Sequence, residues 1–315
     1  SEPFLVGLVG ARGHAGRELI RLIAGHPESM LAYAVSREFA GRPVAEIAPE
    51  DKDECIFEAL TPAEVANHRA DVVILATPDG AADDFIKAIE RDAPHRIIID
   101  LSADKRFNDA WAYGLPELNR HKIKGAKRIA NPGCYATAMQ LALAPLVEYL
   151  GGVPAVFGVS GYSGAGTTPG PMNDVERLKD NLIPYKLTGH KHEREATRHL
   201  GVPVRFMPHV HSAFRGLMVT AHAPLEKIMT RDALMQLFSK KYADEPLLIL
   251  QNDAPDFKQG AGRNGIIIGG FETSDDGKSA VIVAAEDNLL KGAAIQAIQN
   301  VNIALGLPEM TGITS

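Results

Sequence analysis

Cysteine is scarce: the 315 residues carry only Cys55 and Cys134. Disulfides are therefore excluded as the source of stability. No apolar run is long enough to predict a membrane-spanning helix. Basic charge is also short. Lys and Arg number 33 against 39 Asp and Glu, for a net charge of −6 with no long basic run. Nucleic acid is not expected as the main partner. The start, Ser1-Glu2-Pro3-Phe4, leads into a strand-like run rather than a signal peptide. With only two cysteines, the expected setting is reducing and cytoplasmic. Internal repeats of about 20–50 residues are absent too. The length is enough for a large core and two domains.

What is present begins with the apolar run Phe4-Leu5-Val6-Gly7-Leu8-Val9, typical of a buried parallel strand. Gly10-Ala11-Arg12-Gly13-His14-Ala15-Gly16 follows, and then a segment with apolar residues at helical spacing. Glycines in a strand-to-helix turn let backbone N–H groups reach a pyrophosphate at the helix N-terminus. The spacing here is G-x-x-G-x-x-G rather than G-x-G-x-x-G. The cofactor candidates are Gly10, Arg12, Gly13, His14, Ala15 and Gly16. A second strand, Leu31–Val35, ends at Ser36-Arg37, where an NAD site would carry Asp or Glu. A hydroxyl and a guanidinium suit a 2′-phosphate, so NADP is the expected cofactor. Further strands are expected at 71–76 and 96–100, with a helix over 81–92 between them. This alternation predicts a doubly wound parallel sheet. Loops 10–16, 36–37, 77–80, 101–106 and 131–134 then fall beyond the carboxyl ends of the strands, where ligands bind. Pro78 and Ser102 join the cofactor candidates.

Beyond about residue 155 the pattern changes to strands at 155–160, 204–207, 217–222, 265–269 and 280–285, with helices at 231–242 and 290–305. This predicts an α+β domain with a largely antiparallel sheet. The expected division is a dinucleotide-binding domain, 1–133, completed by 288–315, and a catalytic and oligomerisation domain, 134–287. The loop from Ser160 to Gly170 is rich in small and hydroxyl residues and is a candidate anion site.

The most informative segment is Asn131-Pro132-Gly133-Cys134. It stands between a short apolar run, Arg128–Ala130, and a helix-forming stretch, Tyr135–Ala144. A thiol at such a turn sits near the positive end of a helix dipole, which favours thiolate. Adjacent backbone N–H groups could hold an oxyanion. The competing reading is a small buried apolar cysteine. Two histidine pairs, His190-Lys191-His192 and His209-Val210-His211, offer an acid/base near neutral pH or, alternatively, zinc ligands. Helical spacing would turn His190 and His192 to different faces, whereas a strand or loop would let both point one way. The metal reading leaves the first half without a role, and no metal is expected.

The chain resembles the N-acetyl-γ-glutamyl-phosphate reductase family of arginine biosynthesis along nearly its whole length. The resemblance rests on Asn131–Thr137, Ile99–Asp104, Tyr113–Asn119, Ser160–Gly166, Gly189–His192, Asp287–Ala294 and Gln299-Asn300. It implies a small acyl-phosphate substrate, NADP, a cysteine thioester and a homo-oligomer, either dimer or tetramer. Carried over by residue, Cys134 is the nucleophile and His192 the acid/base, with His190 next. Asn288 is placed against the nicotinamide, and Ser163 and Gly164 at cofactor or phosphoryl group. Arg106, Asn131 and Arg215 are placed at substrate. The chain departs from the family pattern at Arg12, where Thr is common, at His14 (Tyr), at Asp79 (His) and at Lys105 (an aromatic). A carrier-linked aminoadipyl phosphate remains an alternative substrate, and an aspartate-semialdehyde dehydrogenase an alternative within the class.

Overall fold

The apolar runs of the first half become parallel strands. The computed structural model describes every residue from Ser1 to Ser315 and divides into two units. The first comprises Ser1–Pro132 and Ala293–Thr314. Its elements are β1 (Phe4–Val9), α1 (His14–Gly25), β2 (Ser29–Val35), β3 (Phe57–Glu58), α2 (Pro62–Asn67), β4 (Val72–Leu75), α3 (Asp83–Asp92), β5 (Ile97–Asp100), β6 (Ala112–Tyr113), α4 (Pro116–Ile123) and β7 (Arg128–Ala130). The strands order as β3-β2-β1-β4-β5-β7-β6, and every neighbour pair is parallel. Parallel strands need crossover connections, and helices on the faces then bury both sides. Accordingly Val72–Leu75 and Ile97–Asp100 are buried at every position. Burying each such Val, Ile or Leu contributes about 1.5–3 kcal/mol.

The second unit, Gly133–Gly292, opens with α5 (Cys134–Leu143). It continues through β8 (Ala155–Gly161), α6 (Val175–Leu178), β9 (Leu182–Pro184), α7 (Lys191–Leu200), β10 (Arg205–His211), β11 (Leu217–Pro224), α8 (Arg231–Tyr242), β12 (Leu248–Leu250), α9 (Phe257–Gly260), β13 (Ile266–Thr273) and β14 (Ser279–Glu286). The sheet order is β12-β13-β14-β11-β8-β10-β9. Antiparallel pairing dominates, but β8–β10 and β12–β13 run parallel, so the sheet is mixed. In β11, Leu217, Val219, Ala221 and Ala223 are buried and alternate with more accessible residues. One face therefore packs on the core. Among the chain's helices none is long and apolar enough to cross a membrane.

The chain then returns to the first unit as α10 (Ile295–Ala304), which packs on α1, α4 and β5. A π-helical turn, Leu290–Ala294, precedes it where a regular helix is expected from 290. α10 is unusual in burying Gln296, Gln299, Asn300 and Asn302 completely. Buried amides need partners. Asn302 Nδ2 donates to the carbonyls of Glu309 and Thr311, both at 2.9 Å, and so folds the C-terminal segment back on the helix.

Asp100, at the end of β5, is fully buried and accepts hydrogen bonds from Ser102 N (2.9 Å) and Ser102 Oγ (3.0 Å). Burial pushes its carboxyl from 3.8 up to about 6, although the Ser102 hydrogen bonds pull the other way. The folded state thus holds this proton more tightly, and stability falls as pH rises through that window. Asp100→Asn keeps an acceptor for Ser102 and removes the buried charge. It should raise stability at pH 8 by about 1–3 kcal/mol, with the gain shrinking toward pH 4, as read from denaturant midpoints across pH.

Candidate active site

In the first unit, the loop after β1 turns sharply at Gly10, whose φ is +81°. A side chain there would be strained, and its Cβ would lie 2.3 Å from Ala76 O. Gly13 is the N-cap of α1 and uses no side chain to cap it, and the first turn carries no acid. A Cβ on Gly13 would meet little besides Gly10 O at 3.8 Å. The helix N-terminus, with His14 and Ala15 as its first residues and Gly16 packed on Ala11 O, is thus suited to an anionic pyrophosphate. A dinucleotide fits this loop. Ser36 is buried and its Oγ accepts from Phe39 N (3.2 Å), while Arg37 is exposed. Pro78 O accepts from Ala81 N at 3.1 Å. The 77–80 and 101–106 loops are tied together: Gly80 N donates to Asp104 Oδ1 (2.9 Å), and Ala103 N to Asp79 Oδ1 (2.9 Å).

Arg106 and Asn131, both expected at substrate, are buried. Arg106 donates Nε to Asn131 O (2.9 Å) and Nη2 to Leu101 O (2.8 Å). Asn131 donates Nδ2 to Ala293 O (3.1 Å), and its Oδ1 accepts from Asn300 Nδ2 (2.9 Å). These bonds fix the chain just ahead of Pro132.

In the second unit, Cys134 is the first residue of α5, and Gly133 is its N-cap. The first closing helical bond runs from Thr137 N to Gly133 O at 2.9 Å. N–H groups ahead of it have no intrahelical carbonyl to meet. His192 lies directly on Gly133: a Cβ there would sit 2.4 Å from His192 Nε2. The glycine is needed because the imidazole occupies the side-chain position next to Cys134. Gly133 N also donates to Glu195 Oε2 (3.0 Å), and Glu195 is buried one turn along α7 from His192. Glu195 escaped the sequence reading. The spacing His192-x-x-Glu195, which puts both on one helix face, is the signal that marks it.

The two histidines of the first pair separate cleanly. His190 is the N-cap of α7, in extended conformation at φ −60° and ψ 143°, and its Nδ1 accepts from His192 N (2.9 Å). Because Nδ1 accepts, the neutral ring carries its proton on Nε2. Burial pushes His190 down to about 4, and Lys191, Lys186 and Arg194 add repulsion. The rings of Tyr135, Tyr185, Phe206 and His192 surround it edge-on. His190 is therefore neutral at pH 7 and holds α7 in place. The helix starts between the pair, so the two rings still lie 4.8 Å apart. In the second pair, His209 turns Nδ1 to the carbonyls of Met207 (3.1 Å) and Gly158 (3.2 Å), and His211 stacks on Phe257.

Ser163, Gly164, Arg215 and Asn288 come together. Asn288 Nδ2 donates to Ser163 Oγ (2.9 Å), and its Oδ1 accepts from Gly216 N (3.0 Å). A Cβ on Gly164 would lie 3.6 Å from Asn288 Nδ2. Arg215 pairs with the buried Asp287 at 3.5 Å. Asp287 O in turn accepts from Gly292 N (3.0 Å) in the π-helical turn. A Cβ on Gly292 would sit 2.8 Å from Cys134 Cβ. Segment 286–292 thus links this cluster to the thiol.

Two outcomes follow from this packing. His190→Asn retains a cap and should keep turnover within about tenfold, whereas His190→Ala should lower stability by about 1 kcal/mol. Loss of activity in His190→Asn would move the acid/base role to His190. Gly292→Ala should displace Cys134 and cut kcat roughly 10–100-fold with little change in KM, and slow the alkylation of Cys134 by iodoacetamide in parallel.

Residues 5–126 match the family model described as semialdehyde dehydrogenase, NAD binding domain, and residues 134–288 match semialdehyde dehydrogenase, dimerisation domain. An N-acetyl-gamma-glutamyl-phosphate reductase of Xanthomonas campestris pv. campestris (strain B100) is 53% identical over 312 residues, covering 99% of each chain. In fold, the chain is similar to aspartate semialdehyde dehydrogenase II of Vibrio cholerae complexed with ASA, at TM-score 0.79 and 16% identity over 97% of this chain and 99% of that one. The Candida albicans aspartate semialdehyde dehydrogenase with NADP gives TM-score 0.71 at 18% identity, covering 96% and 98%. With a nicotinamide-binding unit ahead of a thiol held beside an imidazole, and with identity at this level over its length, the chain belongs to the semialdehyde dehydrogenase family and, within it, to the N-acetyl-γ-glutamyl-phosphate reductases.

Proposed function

We propose that this chain reduces N-acetylglutamyl 5-phosphate to N-acetylglutamate 5-semialdehyde and phosphate, with NADPH, through a thioester on Cys134. The observation that carries the reading is the seating of the His192 imidazole on Gly133, beside the first residue of α5. His192 takes the proton from Cys134 Sγ. The thiolate attacks the acyl carbon, the C–O bond to phosphate breaks with its electron pair, and a thioester forms. A thiolate is a strong nucleophile and a good leaving group, so one hard reduction becomes two easier steps. When bound, the cofactor supplies a hydride to the thioester carbon. Backbone N–H groups at the start of α5 stabilise the oxyanion. The thiohemiacetal then expels the thiolate, which regains its proton from His192, and the aldehyde leaves.

Other residues take supporting parts. Glu195 fixes Gly133 and, through it, the approach to the thiol. Arg215 and the Ser163–Gly164 turn receive the phosphoryl group, and Asn288 faces the nicotinamide. Ser36 and Arg37 support NADP over NAD. A homo-oligomer, dimer or tetramer, is supported by the outer face of the second sheet. There Phe157 stands in register with Met207 and Thr220, and it is 37% exposed. His222 and Val281 share that face. A second copy of the chain would cover it. Reliance on a free thiol favours a reducing, cytoplasmic setting.

The reverse reaction tests the reading: phosphate-dependent reduction of NADP⁺ with N-acetylglutamate 5-semialdehyde, followed at the nicotinamide absorbance. Activity that requires phosphate is expected. Cys134→Ser should retain less than about a tenth of it, and His192→Ala should be slowed roughly 10²–10⁴-fold. Activity confined to aspartate semialdehyde or to a carrier-linked aminoadipate semialdehyde would replace the substrate and keep the chemistry.

A further inference from the structure

The second strand of a dinucleotide-binding sheet ends at the adenosine ribose. An acidic residue there accepts the ribose hydroxyls of NAD, and an arginine accommodates the 2′-phosphate of NADP. This chain places both signs side by side, with Arg37 and then Glu38 following the end of β2. An unopposed carboxylate at this point would repel a phosphate dianion and attract a ribose. The structure removes that conflict from an unexpected direction. Arg12, between Gly10 and Gly13 of the glycine loop, reaches across and pairs Nη1 with Glu38 Oε2.

Fold stability does not account for the contact. The two side chains are 38% and 59% exposed, and exposed pairs contribute little. What the pair does change is the charge that a nucleotide meets. Ser36 Oγ accepts from Phe39 N, which leaves its own hydrogen to donate. Arg37 is exposed beside it.

We infer that Arg12 is a specificity-determining residue: it neutralises Glu38 and thereby selects a dinucleotide carrying a 2′-phosphate over one carrying a free ribose hydroxyl. The inference rests on the reading that a nicotinamide dinucleotide binds at the Gly10–Gly16 loop. With Arg12 in place, Glu38 is occupied, and the exposed Arg37 next to it in sequence adds a further positive charge. Without Arg12, Glu38 becomes an acceptor for ribose hydroxyls and a source of repulsion for NADPH.

Binding, not turnover, reads this directly. Dissociation constants for NADPH and NADH are measured by calorimetry on the wild-type protein, Arg12→Thr, Arg12→Lys, Glu38→Gln and the double variant Arg12→Thr/Glu38→Gln. Arg12→Thr should weaken NADPH by about tenfold or more while NADH changes by less than about threefold. Arg12→Lys should retain most of the NADPH preference, since charge rather than shape silences Glu38. Adding Glu38→Gln to Arg12→Thr should restore part of the NADPH affinity. An unchanged NADPH-to-NADH ratio in Arg12→Thr overturns the inference and leaves the NADP reading intact. A wild-type protein that binds NADH as tightly as NADPH overturns both.

Discussion

Asn131 has every hydrogen-bonding group engaged inside the first unit. Its N–H donates to Asp100 O (2.8 Å), its carbonyl accepts from Arg106 Nε, its Nδ2 donates to Ala293 O and its Oδ1 accepts from Asn300 Nδ2. Only 1% of the residue is exposed. One residue therefore joins the end of β7 to the end of β5 and its following loop through its backbone, and to the point where the chain re-enters ahead of α10 through its side chain. Aspartate would carry a buried charge and lose the donor to Ala293, and leucine would orphan two polar groups. The buried amides of α10 extend the same arrangement, with Asn300 also donating to Gly114 O at 2.9 Å.

In the second unit the equivalent constraint is space. Gly133 is bare where His192 lies, and Gly292 is bare where Cys134 Cβ lies. The thiol is positioned by what its neighbours lack. Beside it, the His190 ring caps the start of α7, and Glu195 on the same helix accepts from Gly133 N, so α7 holds the residue that precedes Cys134.

Much of this was legible in the residues. Runs such as Phe4–Val9 and Ile97–Asp100 are buried on both faces, and continuous apolar character is what a parallel sheet imposes. The helix after Cys134 was also legible, from its Ala, Leu and Met. Strands β3, β6, β9 and β12, only two or three residues long, were not, because periodicity needs more length. Helix α7 was hidden by its polarity, and its N-cap is a histidine, outside the usual capping residues. In the site, the strand-to-helix turn and the residue type marked Cys134, whereas His192, Arg106 and Asn131 were assigned through the resemblance. The hydrogen bonds of Arg106 and Asn131 to backbone carbonyls and to the Asn300 amide are announced by no spacing in the sequence.

The first unit is made from two pieces of chain, with the whole of the second unit inserted between them. The sequence order imposes an order of birth. During synthesis, residues 1–132 leave the ribosome long before Ala293, and they must wait with the α10 side of their core uncovered. The second unit, being continuous, has all its residues available first. Contacts between α1 and α10 span nearly the full chain, and long sequence separation slows folding. A nascent chain of this protein therefore passes through a stage with one finished half and one unfinished, apolar half. That stage is where a chaperone would find its binding surface.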